Sequence, residues 1–310
     1  MYRFSDYYFL KNKIDFKLEE DFLFSSLALL TEASNNSLCF LEDKKFISDL
    51  YNNLDNVIGL ICNEEIANEV RDKVYVVVTD RPKELFFLLH NSLEDKELFE
   101  TIIEDNCIIS PKASIAKYNV IIKSGTIIED FVSIRENSEI GHNCFIGCGT
   151  VIGAEGFNVY KLDGNYEMVK SRGKVVIGDF TKIMSNTVIE KSIYPDSKTI
   201  IGENCIIANS VVVSHDAKLK DKVLLASGAV VCGFSKLGEN SYMGVNSSVK
   251  QINKIGNNTK IGMGACVNFD TNDNDVIVGS IANPLRRAKV LKDYNNFLID
   301  KIINEEENNN

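Results

Sequence analysis

Only three histidines occur among the 310 residues, so each candidate for proton transfer can be weighed against its own surroundings. His215 stands in Val213-Ser214-His215-Asp216. It is followed by two small, uncharged runs, Leu225-Ala226-Ser227-Gly228 and Val231-Cys232-Gly233, which leave room for a ligand beside an imidazole. A neutral imidazole takes the proton from an attacking amine or hydroxyl near neutral pH. Gly233 lies eighteen residues beyond His215, and a glycine N–H placed over that site can donate to the oxyanion of a tetrahedral intermediate. The pair therefore points to acyl transfer, with relief of crowding at a chain corner as the alternative reading of Gly233. His90 falls in the helical pattern of residues 82–93 and reads as structural. His142, in Ile140-Gly141-His142-Asn143, reads as a solvated corner. His142 and His215 are 73 residues apart, about four coils of the repeat described next, so they cannot share an ion within one chain and no metal is expected.

The element that must position these residues is a six-residue repeat. Apolar leads recur in steps of six from Ile201 through Ile207, Val213, Leu219, Leu225 and Val231 to Val267, and the same phase holds from Ile122 to Ile152 and from Ile177 to Ile189. Residues 158–175 are then an inserted loop. Four residues after each lead sits a small or slender side chain, such as Thr126, Cys144, Thr181, Cys205, Ala229 or Thr259. Glycine often follows the lead, as at Gly141, Gly178, Gly202 and Gly244, which suits a backbone that turns sharply. Three short strands per turn predict a triangular parallel β-helix of eighteen residues per coil, each coil burying its neighbour's apolar face.

Glycine also marks a boundary, since Gly59 is the only one before Gly125. Before about residue 105 the β-type runs 38–41, 57–62 and 74–78 alternate with helical patterns at 44–54, 64–72 and 82–93, a small α/β domain. One glycine cannot supply the G-x-G-x-x-G of a dinucleotide fold. The expected organisation is an α/β domain over 1–104, the β-helix over 105–284, and a C-terminal helix and tail over 285–310. Lys plus Arg is 34 against 44 for Asp plus Glu, a net charge of −10, which opposes binding to nucleic acid. No apolar run nears the roughly 20 residues a membrane span needs, and Met1-Tyr2-Arg3-Phe4 opens no signal-peptide pattern; a cytoplasmic protein is expected. Eight cysteines without a CxxC pair read as packing residues.

The hexad pattern resembles the hexapeptide-repeat acyltransferases. That resemblance implies a left-handed β-helix and a homotrimer. Gly149-Thr150-Val151-Ile152-Gly153-Ala154-Glu155-Gly156-Phe157, followed by the inserted loop, is similar to the UDP-3-O-acylglucosamine N-acyltransferase family of lipid A synthesis. The resemblance implies His215 as catalytic histidine, the Gly233 amide as oxyanion donor, and Glu155 and Phe157 on the substrate side. Leu38-Cys39-Phe40-Leu41-Glu42-Asp43-Lys44-Lys45-Phe46 resembles the family's nucleotide-binding segment S-x-F-L-x-N-x-K-Y. By that likeness Phe40 and Phe46 flank a pyrimidine and Asp43 faces its edge; read alone, the two phenylalanines belong to a core.

Three departures set the chain apart from that family. The family's second histidine, two coils after the first, is missing from Val249-Lys250-Gln251-Ile252-Asn253-Lys254; Asp43 and Phe46 replace Asn and Tyr; and residues 276–285 resemble the closing segment of coenzyme-A-dependent acetyltransferases. Arg286, Arg287 and Lys289 follow that segment, a cluster suited to the phosphates of coenzyme A or equally to a solvated helix start. The expectation is an N-acyltransferase moving a short acyl group from acyl-CoA to the amine of a dTDP- or UDP-linked deoxyamino sugar, with Ala226, Gly228, Gly244 and Gly262 forming the pantetheine groove at a subunit junction. The alternatives are the lipid A-type enzyme using acyl carrier protein, a saccharide O-acetyltransferase, and a non-enzymatic β-helix scaffold.

Overall fold

The computed structural model of the protein describes residues 1–94, 98–279 and Tyr294. Apart from Tyr294, the expected C-terminal helix and tail over 285–310 lie outside the described residues, Arg286 and Arg287 included. The N-terminal part is a five-stranded sheet in which Ser26–Leu27, Ser37–Leu41, Val57–Cys62 and Tyr75–Val78 run parallel and Lys17–Leu18 adds an antiparallel edge. Glu64–Val70 and Pro82–Ser92 are its main helices. Asn63 starts the first by accepting the Ile66 N–H at 3.0 Å, an N-cap followed by two acidic residues. Pro82 opens the second with a preset φ, and Leu85, Phe86 and Leu89 bury its inner face.

From Ile102 onward the chain winds through three parallel sheets of eight, eight and nine strands. Val212↔Val230↔Ser248 and Leu224↔Tyr242↔Lys260 show the eighteen-residue period directly. The leads form one continuous core, with Ile207, Val213, Val231 and Val249 fully buried; each contributes on the order of 1.5–3 kcal/mol relative to an exposed side chain. The slender residues four places on also point inward. Thr126 and Thr181 donate to the carbonyls of Gly141 and Gly202 on the next coil, both at 2.8 Å, which satisfies hydroxyls that burial would otherwise penalise. The three sheets thus enclose one apolar column, a parallel β-helix.

The expected role of the glycines that follow the leads needs correction. Apart from Gly153 they do not adopt positive φ; the turn is made two residues later, at Asn143, Asn204, Asn240, Asn246 and Asn258, because Asn tolerates the left-handed region. The glycines serve close approach between coils. A Cβ at Gly178 would lie 2.7 Å from Glu203 N, and one at Gly244 2.6 Å from Met263 N.

Two insertions interrupt the coils. The first carries the antiparallel hairpin of Val159–Leu162 with Asn165–Met168. The second, around residues 191–197, makes the coil from Ile177 to Ile201 twenty-four residues long. Both dock the N-terminal domain. Tyr160, Val169, Ile193 and Tyr194 join its aromatic core beside Phe86 and Phe87, and Asn91 on its last helix hydrogen-bonds to both Met168 O and the Lys170 N–H. The first loop is thus a brace between domains.

Candidate active site

His215 and Asp216 occupy the corner between the first sheet, which holds Val212–Val213, and the second, which holds Lys218–Leu219. One coil earlier the same corner carries Glu190, and one coil later Gly233 and Phe234. The His215 backbone N–H donates to Glu190 Oε2 at 3.0 Å, and burial raises the pKa of that carboxyl. His215 Nδ1 lies 3.2 Å from Asp216 Oδ2. The same oxygen accepts the Ile193 N–H at 3.0 Å, and the Asp216 N–H donates to Thr199 Oγ1 at 2.8 Å. Asp216 is only 3% exposed, so the second insertion locks the carboxylate that orients the ring. With Nδ1–H facing Asp216, Nε2 carries the free lone pair.

Gly233 and Gly156 bracket the imidazole. A methyl group on Gly233 would stand 2.6 Å from Cε1 and 2.8 Å from Nε2, and one on Gly156 2.8 Å from Cδ2. Phe234 closes the edge with its ring at 5.3 Å, nearly perpendicular. Among the described residues the Gly233 N–H has no acceptor, whereas the equivalent amide one coil earlier is taken by Glu190. A lone pair on Nε2, an unclaimed N–H and space from two absent side chains fit base-assisted attack on a carbonyl.

His90 and His142 behave as expected. His90 is fully buried, Nε2 meets Lys170 O at 2.8 Å, and burial lowers its pKa to about 4. His142 sits on a corner between Asp179 at 3.1 Å and Glu104 at 3.7 Å. No group of three or more metal-binding side chains is gathered among the described residues.

Phe40, Asp43 and Phe46 do come together, around a groove of about 540 Å³ that Leu29, Leu30 and Lys83 complete. Phe40 leans on Phe86 at 4.7 Å, so it is partly core. Phe46 is 50% exposed and offers a stacking face. Asp43 accepts the Lys45 N–H at 3.0 Å and pairs with Lys45 Nζ, contacts that hold its carboxyl below the usual range. Glu155, next to Gly156, binds Lys191 Nζ at 2.8 Å and the Ser171 N–H at 2.9 Å. Burial raises its pKa, but these contacts outweigh that and hold it low. Phe157 is 81% exposed and joins no cluster.

The run Leu225-Ala226-Ser227-Gly228 does not flank the imidazole. Ala226, Gly228, Gly244 and Gly262 follow strands of the third sheet and line a different corner of the triangle, because each lead advances the chain by one side. Within one chain they and His215 are apart. Asp216, Glu190 and Gly156 were not assigned roles from sequence. The readable signals were the carboxylate adjacent to His215 and a glutamate where other coils place glycine.

The hexapeptide family described as "Bacterial transferase hexapeptide (six repeats)" matches residues 119–154. A UDP-3-O-acylglucosamine N-acyltransferase of Fusobacterium nucleatum is 30% identical over 245 residues, 66% of this chain and 73% of that protein. One of Marinomonas sp. is 25% identical over 205 residues, and the chain spans 58% of its length. Among solved structures, a UDP-N-acetylglucosamine O-acyltransferase of Moraxella catarrhalis aligns with a TM-score of 0.43 at 25% identity, covering 55% of this chain and 66% of that one. The Campylobacter jejuni UDP-N-acetylglucosamine acyltransferase aligns with a TM-score of 0.37 at 20% identity, covering 54% and 68%.

Proposed function

Because the chain belongs to the UDP-3-O-acylglucosamine N-acyltransferase family of hexapeptide-repeat acyltransferases, we propose that it transfers an acyl group from a thioester to the amine of a UDP-linked, 3-O-acylated glucosamine. The observation that carries the reading is the imidazole held between Gly156 and Gly233 with Nδ1 on Asp216. His215 Nε2 takes a proton as the amine nitrogen attacks the thioester carbonyl. The Gly233 N–H donates to the oxyanion that forms. Collapse breaks the C–S bond, and the thiolate leaves with the proton that His215 carried. The uracil sits in the Phe40 and Phe46 groove.

On this reading the enzyme is a homotrimer. His215 and the small-residue column of Ala226, Gly244 and Gly262 lie on different corners of one chain, so a donor groove touching both needs a second copy. The outer face of the third sheet supports that assembly: Ile206, Leu224 and Tyr242 are exposed on successive rungs along it.

A second reading keeps the chemistry and changes both substrates: an acyl-CoA donor and a dTDP- or UDP-linked deoxyamino sugar. Two observations favour it. Gln251 stands two coils beyond His215 where the family resemblance implies a histidine, and Asp43 replaces an asparagine in the groove. Thermal-shift binding and product mass spectrometry with acyl-CoAs, acyl carrier protein thioesters, UDP-sugars and dTDP-sugars separate the two. Acylation of the UDP-3-O-acylglucosamine by an acyl carrier protein thioester is expected; turnover with acyl-CoA and a deoxyamino sugar alone would replace the first reading by the second. No shift with any donor or nucleotide would remove both.

A further inference from the structure

Two cavities share one segment of the N-terminal domain. Leu29, Leu30 and Thr31 line the aromatic groove, while Leu27, Ala28, Glu32 and Ser34 line a separate cavity of about 210 Å³ against the β-helix. On its far wall that second cavity reaches Asp216 and Phe234. Residues 27–34 thus have one side in the groove and the other against the residues that orient and enclose His215.

Glu32 fixes this segment to the β-helix. Its two carboxylate oxygens lie 3.2 Å from Lys218 Nζ and 3.2 Å from Lys236 Nζ. The two ion pairs hold Glu32 below the usual carboxylate range, although burial alone would raise it. Lys218 and Lys236 are cross-strand neighbours in the second sheet. Lys218 stands two residues after Asp216 and Lys236 two residues after Phe234. Glu32 therefore grips the two coils that carry His215 and Gly233, the coils whose relative placement sets the distance from base to oxyanion donor.

We propose that Glu32 is a positioning residue that transmits occupancy of the aromatic groove to the His215 corner. A base inserted between Phe40 and Phe46 displaces Leu29–Thr31. That displacement reaches Glu32 through the same short stretch and tightens the two coils, so catalysis is favoured when the nucleotide is seated. The inference rests on the nucleotide reading of the groove. It adds to that reading a mechanical connection between recognition and chemistry.

The test compares wild type with Glu32→Gln, which keeps shape and loses charge, and with Lys236→Met, which cuts the clamp from the β-helix side. UDP and dTDP serve as probes, with Kd from calorimetry and the His215 imidazole signals followed by NMR. In wild type, nucleotide is expected to move the His215 signals. In both variants Kd stays within about twofold, the nucleotide-induced change at His215 is lost, and kcat falls about tenfold with KM for the nucleotide sugar little altered. A purely structural role would change melting temperature without that split. Equal nucleotide-induced changes at His215 in wild type and Glu32→Gln overturn the coupling while leaving the functional reading intact. Failure of either nucleotide to bind wild type removes the groove assignment, and the coupling with it.

Discussion

Replacing Gly233 by alanine drives a methyl group into the His215 ring. The new carbon would stand 2.6 Å from His215 Cε1 and 2.8 Å from Nε2, against an ordinary carbon contact of about 3.5–4.0 Å. Restoring contact requires the imidazole to move by about 0.9 Å. Gly233 does not use positive φ, so alanine fits the backbone and the N–H remains available to an oxyanion. The substitution therefore isolates the position of the base. A displacement of about 1 Å at a reacting group costs on the order of 100-fold, so kcat is expected to fall at least about 100-fold. Melting temperature should change by only a few degrees, because the gain of about 0.4–1 kcal/mol from a stiffer unfolded chain offsets part of the crowding. Steady-state kinetics by product mass spectrometry, paired with thermal melts, makes the measurement. A Gly233→Ala enzyme turning over within threefold of wild type would refute the placement of His215 as base.

Three further outcomes are expected. His215→Ala should lower kcat by about 10²–10⁴ without loss of nucleotide binding; an unchanged rate would mean that the amine arrives deprotonated and the thiolate collects its own proton. Phe46→Ala should weaken binding of a pyrimidine nucleotide by about 1–3 kcal/mol if its exposed ring stacks on the base, as read by calorimetry, whereas unaltered affinity would return Phe46 to plain surface. Burial keeps His90 neutral down to about pH 4 against an ordinary value of 6.5, so the unfolded state binds the extra proton between these values. Stability should then fall as pH drops from about 6.5 to about 4, by up to roughly 3 kcal/mol. His90→Asn should flatten that slope in urea melts across the same range.

The hexad rule carried most of the fold, because a lead buried in every coil leaves a period that no surface residue can blur. The same rule concealed the second insertion. Its length of six residues keeps Ile189 and Ile201 in phase, although they are separated by an extra, non-strand segment bearing Ile193 and Tyr194. Spacing of eighteen was enough to stack Gly233 on His215. It could not reveal Gly156, which arrives from the other flank after an inserted loop, nor that Ala226 and His215 belong to different corners until the three sides were counted. Glu32 as a bridge between domains depends on contacts between segments far apart in sequence, such as Glu32 and Lys236, and local pattern holds no record of those.

The N-terminal domain holds the coils unevenly. Among the described residues its contacts fall on the two insertions and on the rungs of Lys218 and Lys236, while the described rungs after Ile255 include a shortened coil, with Ile261 pairing sixteen residues on with Ile277. A stack whose members touch only their neighbours opens from its least supported end. Amide exchange should therefore proceed in graded order, fastest for the amides of Lys260 and Gly262 and slowest near Val213 and Val231. The reaction centre would then lie in the last part of the solenoid to lose protection, and partial melting of the far rungs should leave it folded.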